Sequence, residues 1–295
     1  MKVFSIITAF YNGNQYVSKL IDIAKKNEMA LISAGIDAKV ELVIVNDSPN
    51  ITVQIPNITT ENLPKIINHE KNLGIHQARV TGLMNCQGEY IVFLDQDDEL
   101  TDDCLLDEYR ILGNADIVVS NAYIEQFNGT KNIHFKSRGQ FRNALDVNVY
   151  IKGHNQIVSP GQCLIRKSAI PSEWIKFVMK TRGSDDLYLW ILMFYKKCKF
   201  VMCEKIVYTH KYTGSNLSLE ETRMAQSSME LVAYMNQIKY IPNKQIDIFV
   251  RNRQAKIELC NTHGMRRVMT YLRNLDLFIY RIWWKIRGLY GKFRN

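Results

Sequence analysis

Three stretches of this chain run apolar with little alternation and then stop on polar or acidic residues. They are VFSIITA ahead of Tyr11 and Asn12, VELVIV ahead of Asn46 and Asp47, and YIVFL ahead of Asp95, Asp97 and Asp98. A strand with one face in water alternates apolar and polar side chains. A strand covered on both faces does not, and such strands belong to parallel sheets flanked by helices. The segments between them agree. Residues 15–34 space Val17, Leu20, Ile21, Ala24, Leu31 and Ile32 as a rough helical stripe, and 75–87 read as a second helix. With a short strand in KIINHEKNLG, the strand at 90–98 and another at 115–127, the first half reads as an α/β fold with a mostly parallel central sheet. Ligands of such sheets sit at the carboxyl ends of the strands, where these polar residues fall.

The third stretch poses a physical problem. Carboxylates repel one another and resist burial, yet IVFLDQDDEL places four acids directly behind an apolar run. Side chains two apart share a face of a strand, so Asp95 and Asp97 can project together. A hard divalent cation, Mg²⁺ or Mn²⁺, would supply the missing counter-charge, since it takes oxygen ligands and keeps phosphates in its shell. The plainer reading is a solvated acidic turn, or an N-terminus for a helix at about 102–112. Asp98 and Glu99 are assigned to that turn or helix start.

Beyond residue 139 the chain reads as mixed loops, a helix near 185–197 and a strand at 200–209, then mostly helix from about 220. The expected division is a catalytic domain over 1–219 and a helical region over 220–295. Charge is uneven: residues 264–295 hold eight Lys or Arg against one acid, and so carry +7 of the chain's +9. A nearly neutral body argues against a nucleic-acid-binding surface. In the tail, Leu272, Leu275, Ile279, Ile282, Trp283, Ile286 and Leu289 recur at helical spacing among Arg273, Arg281, Lys285 and Arg287. A basic amphipathic helix with aromatics reads as lying on an anionic membrane surface. Packing on the protein body or on a second subunit is the competing reading, which leaves a homo-oligomer open. The six cysteines form no CxxC pair and are expected to be reduced, buried thiols of a cytosolic protein. The N-terminus lacks the apolar stretch of a signal peptide, and no window is long and apolar enough for a spanning helix.

FSIITAFYN, VELVIVNDSP, NLGIHQARVTG, GEYIVFLDQDDEL and RGSDDLYLW, in this order, resemble the motifs of family 2 glycosyltransferases with the GT-A fold. The resemblance covers residues 3–190, more weakly through YTHKYTGSNLS. It implies an inverting, metal-dependent transfer of a hexosyl or N-acetylhexosaminyl group from a UDP-sugar to a glycan or lipid-linked acceptor. It also implies a protein peripheral to the cytoplasmic face of the cell membrane. By the same resemblance Thr8, Ala9, Tyr11 and Asn12 would line the nucleotide, with Tyr11 at the base. Asp47 would meet a uracil ring, Asn72 and Gly74 would form the adjoining loop, Arg79 would approach base and phosphates, and Asp95 the ribose. Asp97 would hold Mn²⁺ or Mg²⁺, with His210 as a second ligand. Asp186 would be the general base and Asp185 its neighbour toward the sugar. Gly161 and Gln162 would face the donor and acceptor pocket, and Ser215 and Asn216 would close over the diphosphate. Ala9 and Asn46 depart from the family pattern, which usually has proline and a second acid there.

Bottom-up alternatives stand beside these roles. Asp185 and Asp186 suit a helix N-terminus behind Ser184, Arg79 suits a surface helix, and a lone His210 suits a structural role. A sugar-1-phosphate nucleotidyltransferase would need a Gly-rich, Arg-containing loop after the first strand, and TAFYNGNQY has one glycine and no arginine. A non-catalytic, membrane-tethered partner of another transferase is the remaining alternative.

Overall fold

The computed structural model describes residues 1–56, 63–181, 183–213 and 221–291, with the side chains of 221–223 and 225 left aside. Residue contacts group the chain into two compact units. One comprises 1–134, 158–170 and 198–215; the other comprises 135–157, 171–197 and the chain from 216 onward. The units are interleaved along the chain, whereas the sequence suggested a single boundary near 220.

The first unit holds a nine-stranded mixed sheet ordered β3-β2-β1-β4-β8-β6-β9-β5, with β7 paired to β6. Its strands are β1 (Lys2–Phe10), β2 (Ala38–Asn46), β3 (Lys65–Asn68), β4 (Tyr90–Phe93), β5 (Glu99–Leu100), β6 (Ile117–Glu125), β7 (Lys131–Ile133), β8 (Cys163–Arg166) and β9 (Phe200–Lys211). Pairing is parallel across β3, β2, β1 and β4 and between β6 and β9; the antiparallel β8 joins the two parallel sections. Three helices belong to this unit: α1 (Asn14–Ser33), α2 (Ile75–Asn85) and α3 (Cys104–Leu112). α1 packs on β2, α2 on β1 and β2, and α3 on β6 and β9. Cover of this kind buries Phe4, Ile6 and Ile7 of β1, Val43, Ile44 and Val45 of β2 and all of β4, as their unbroken apolar character demands. Gly82 lets α2 lie close on the sheet, for a Cβ there would strike Ile7.

β4 ends earlier than its apolar run. Leu94 still donates to the Ile7 carbonyl, but the next residues peel into a turn closed by Asp98 N–H to the Asp95 carbonyl, 3.1 Å. Carboxylates cannot continue into a core ladder without losing water, so the acids mark where the chain leaves the sheet.

The second unit is helical: α4 (Arg138–Ala144), α5 (Val147–Lys152), α6 (Ser172–Lys176), α7 (Asp185–Tyr195), α8 (Glu221–Met235), α9 (Asn243–Asn261), α10 (Gly264–Arg273) and α11 (Leu275–Arg287). The expected single basic helix is two. Asn274 separates them, its amide turned back to the Thr270 carbonyl at 2.9 Å while its own carbonyl accepts from Leu277, 3.0 Å. Leu272 therefore sits on a different helix from Leu275. Cysteines 86, 104, 163 and 203 are buried as expected, but Cys198 is half-buried and Cys260 exposed.

Candidate active site

The first unit gathers the strand-end residues, and each acid there meets a different fate. Asp95 accepts from Arg79 Nη2 at 2.5 Å and from Ser159 Oγ at 3.1 Å, and Arg79 is itself buried in α2. Asp98 is completely buried and accepts from the Tyr208 hydroxyl, from His210 Nδ1 at 3.2 Å and from the Lys211 N–H at 2.9 Å. Glu99 lies in β5 and binds Lys211 Nζ at 2.5 Å. Asp97 alone of the four has no ion-pair partner among the described residues; its carboxylate accepts only a 3.3 Å bond from Thr213 Oγ1. Burial, then the Asp98 and Asp95 charges, push its carboxyl up to about 6.

Asp98 thus corrects the sequence expectation. It does not begin a free turn or cap the next helix; it is the buried anchor between β4 and β9. His210 stands on β9 with its ring against Tyr212. Burial alone would lower the imidazole, but the Asp98 hydrogen bond and charge outweigh it and hold His210 above its ordinary value. Its Nδ1 is occupied by Asp98, which leaves Nε2 as the nitrogen for a ligand, the arrangement in which a carboxylate orients a metal-binding histidine.

Asp47 sits just past β2 and is 4% exposed, so its carboxylate acts inside the fold. Oδ1 accepts from Leu73 N–H at 2.7 Å and shares a 2.8 Å bond with His69, while Oδ2 accepts from Gly74 N–H at 2.8 Å. Asn72 reaches the Asp47 carbonyl at 3.1 Å, and Gly74 takes φ 88°, which favours glycine. One carboxylate therefore folds the 72–74 loop that starts α2 and aims Arg79. Thr8 is buried in β1 with Oγ1 unpartnered, and Ala9 is half-buried beside it. Tyr11 is 50% exposed and Asn12 adopts φ 50°, its N–H held by Ser48 Oγ at 2.8 Å.

Gly161 lies in a short 3₁₀ turn, where a Cβ would press on the Tyr208 ring. Gln162 does not present its amide to a pocket. It is fully buried, with Nε2 on the Ser120 carbonyl at 2.6 Å and Oε1 accepting from Val158 N–H at 3.0 Å. It shapes the 158–163 turn from behind.

Asp185 and Asp186 open α7 in the second unit. Asp185 is buried, its carbonyl accepting from Trp174 Nε1 at 2.9 Å. Asp186 is partly exposed, with Oδ2 accepting from Asn155 Nδ2 and Oδ1 from Leu187 N–H, both at 2.6 Å. Ser184 makes no side-chain cap, but both acids lie in the first turn of α7, the helix N-terminus that favours carboxylates. Ser215 and Asn216 lie outside the described residues.

Three residues were missed from sequence. Gln96, between the two acids of D-Q-D, clamps Tyr11 from both sides: Oε1 accepts its N–H and Nε2 donates to its carbonyl, both at 3.0 Å. Its position in D-Q-D offered no signal, because the chain has already left β4 there and strand alternation no longer applies. Ser159 and Asn155, the partners of Asp95 and Asp186, sit in loops whose sequence carries no comparable periodicity.

A divalent cation fits this donor set. No group of three or more His, Cys, Asp or Glu among the described residues forms an all-protein cage. Mg²⁺-type sites instead use one or two protein ligands and complete their shell with substrate phosphates, which is what Asp97 and His210 Nε2 offer.

Known proteins resemble this chain along most of its length. The family described as "Glycosyl transferase family 2" matches residues 5–172. EpsH of Bacillus subtilis (strain 168) is 22% identical over 293 residues, 92% of this chain and 82% of EpsH. The S. aureus TarS 1–349 structure in complex with UDP-GlcNAc superposes with a TM-score of 0.61 at 16% identity, over 94% of this chain and 80% of that one. The Pyrobaculum calidifontis mannosyltransferase PcManGT, solved with GDP-Man and Mn²⁺, gives 0.54 at 13% identity, over 97% of this chain and 84% of that one. These structural likenesses show the GT-A fold.

Proposed function

The chain belongs to glycosyl transferase family 2, and on that premise we propose that it is an inverting, metal-dependent transferase. It moves a hexosyl or N-acetylhexosaminyl group from a UDP-sugar to a hydroxyl of a glycan or lipid-linked acceptor. The observation that carries the reading is Asp97, the one acid of its cluster without an ion-pair partner among the described residues, while Asp95 has Arg79 and Asp98 has His210. The TarS complex with UDP-GlcNAc supports a UDP-sugar as donor, and the Mn²⁺ beside PcManGT supports a metal.

In this reading Asp97 and His210 hold Mn²⁺ or Mg²⁺, which when bound neutralises charge on the leaving diphosphate. Thr8, Ala9, Tyr11, Asn12 and the Asn72–Gly74 loop line the nucleoside, with Tyr11 against the base and Asp47 behind the loop. Arg79 and Asp95 face the ribose and phosphates. Asp186, fixed by Asn155, takes the proton of the acceptor hydroxyl. The freed oxygen lone pair forms the new bond at the anomeric carbon as the bond to the diphosphate breaks, inverting configuration. Asp185 orients the sugar from the same turn, and the Gly161–Gln162 turn shapes the pocket. The acceptor is met at the inner face of the cell membrane, where residues 264–295 hold the chain.

The test is nucleoside diphosphate release from a panel of UDP- and GDP-sugars. Asp186→Asn is expected to lose about 10²–10⁴-fold in rate with nucleotide affinity unchanged. Asp97→Ala is expected to lose the Mn²⁺-dependent part of UDP binding by calorimetry. Release by Asp186→Asn within a few-fold of wild type would remove the base assignment, and equal UDP affinity with and without Mn²⁺ would remove the metal.

A further inference from the structure

The tail resolves into two helices that each bury one face and leave the opposite, apolar face uncovered. On α11, Leu277 and Trp284 are buried, and the Trp284 carbonyl accepts from Asn143 Nδ2 at 2.9 Å. Arg287 closes the same contact, binding Asn143 at 2.7 Å and Asp146 at 2.9 Å. Helical geometry puts Leu275, Ile279, Ile282, Trp283 and Ile286 within about 100° of arc on the opposite side. All five are at least 47% exposed. α10 repeats the pattern: Thr270 is buried, while Met265, Val268, Met269 and Leu272 form an apolar stripe at least 43% exposed. Isolated exposed apolar residues are ordinary, but two successive helices with continuous exposed stripes are not.

We infer that α10 and α11 together form a docking surface for an anionic lipid bilayer, lying in its headgroup region. Charge decides the occupant. Arg266, Arg267 and Lys285 are exposed and have no ion-pair partner among the described residues, and the one acid of the tail, Asp276, is held by Arg251. Pairing these helices with a second copy would bring two strongly basic tails together, whereas anionic headgroups would satisfy their cations. Trp283 and Tyr290, both at least half exposed, are the residue types that settle at a membrane–water boundary. Helices of 10 and 13 residues are too short to span a bilayer, which takes about 20. The inference deepens the membrane placement proposed above and rests on that part alone; the transfer reaction stands or falls separately.

The experiment is sedimentation of the full chain with phosphatidylglycerol–phosphatidylcholine vesicles and with phosphatidylcholine alone. Trp174, Trp190 and Trp284 are buried, so Trp283 is the solvent-exposed member of the chain's four tryptophans and reports directly on the surface. Binding to anionic vesicles with a blue shift of tryptophan emission is expected. The triple variant Arg266→Gln/Arg267→Gln/Lys285→Gln should lower the partition constant on the order of a hundredfold. Ile279→Ser/Ile282→Ser/Trp283→Ser should lower it at least as far. Equal sedimentation with neutral and anionic vesicles, or anionic binding that survives both variants, would overturn the inference. So would a lipid-free dimer in sedimentation velocity that the serine variant dissolves, since it would assign the face to a second copy. Sugar transfer measured in parallel keeps this outcome apart from the fate of the active site.

Discussion

The strand ends of the first unit and the tail helices of the second meet opposite demands. At the strand ends the excess is charge, and the fold disposes of it acid by acid: Arg79 for Asp95, a hydrogen-bonded His210 for Asp98, Lys211 for Glu99. In the tail the excess is apolar surface, and the fold buries only a small part of it. In each region what remains unanswered, the Asp97 carboxylate or the outer stripes of α10 and α11, marks where something other than the chain itself is expected to bind. Neighbouring residues of one type therefore differ in purpose, and stability separates them.

Asp95 and Asp97 give the sharpest contrast. Asp95→Ala leaves the buried Arg79 guanidinium without its carboxylate and should cost about 3–5 kcal/mol in urea unfolding. Asp97→Ala removes a carboxylate whose neighbours repel it, and should leave stability unchanged within about 0.5 kcal/mol or raise it. Equal losses for the two would erase the distinction. On α11 the same test uses the two faces. Leu277→Ala should cost about 2–4 kcal/mol, while Ile279→Ala, on the exposed stripe, should stay within about 0.5 kcal/mol.

Glu108 sharpens the comparison from a third side. It is fully buried in α3 with no cation beside it among the described residues, accepting from Ser120 Oγ at 2.5 Å, and burial pushes its carboxyl from 4.5 up to about 8. The folded state thus favours the protonated form. Stability from this group is fully present below pH 4.5, and is lost as pH rises to about 8. Thermal melts of Glu108→Gln should lack that part of the decline. A decline identical to wild type would mean that Glu108 is ionised in the fold. The smallest expected effect is at Gln96. Gln96→Ala frees the backbone of Tyr11 and should weaken UDP binding several-fold, with stability nearly unchanged.

The strands of the first half were legible because burial on both faces suppresses alternation, and α1 because its apolar residues fall at helical spacing. The antiparallel β8 and the short helices α4–α6 were not legible. They run four to seven residues, too short for periodicity to separate them from loops. Among candidate site residues, the family motifs singled out Asp97 and Arg79, but spacing could not tell which acid faces inward. Asp98 is buried because Tyr208 and His210 arrive from β9, over a hundred residues later, and nothing local announces that pairing. Gln162 reads as a pocket residue for the same reason: its partner, the Ser120 carbonyl, belongs to another strand.

The way α11 is fastened has a practical consequence for anyone wishing to shorten the chain. Its last turn is stitched to α4: Ser137 donates to the Gly288 carbonyl, Arg138 and Gly139 to the carbonyls of Gly291 and Tyr290, and Gly139 has no side chain because a Cβ would strike the Arg287 carbonyl. Cutting before Gly264 would not trim a dispensable appendage. It would strip the lid from α4 and α5 and open fresh hydrophobic surface, so a truncated protein that precipitates or loses activity would say nothing about lipids. Point substitutions on the outer stripes are the cleaner instrument, and fusion tags belong at the amino terminus.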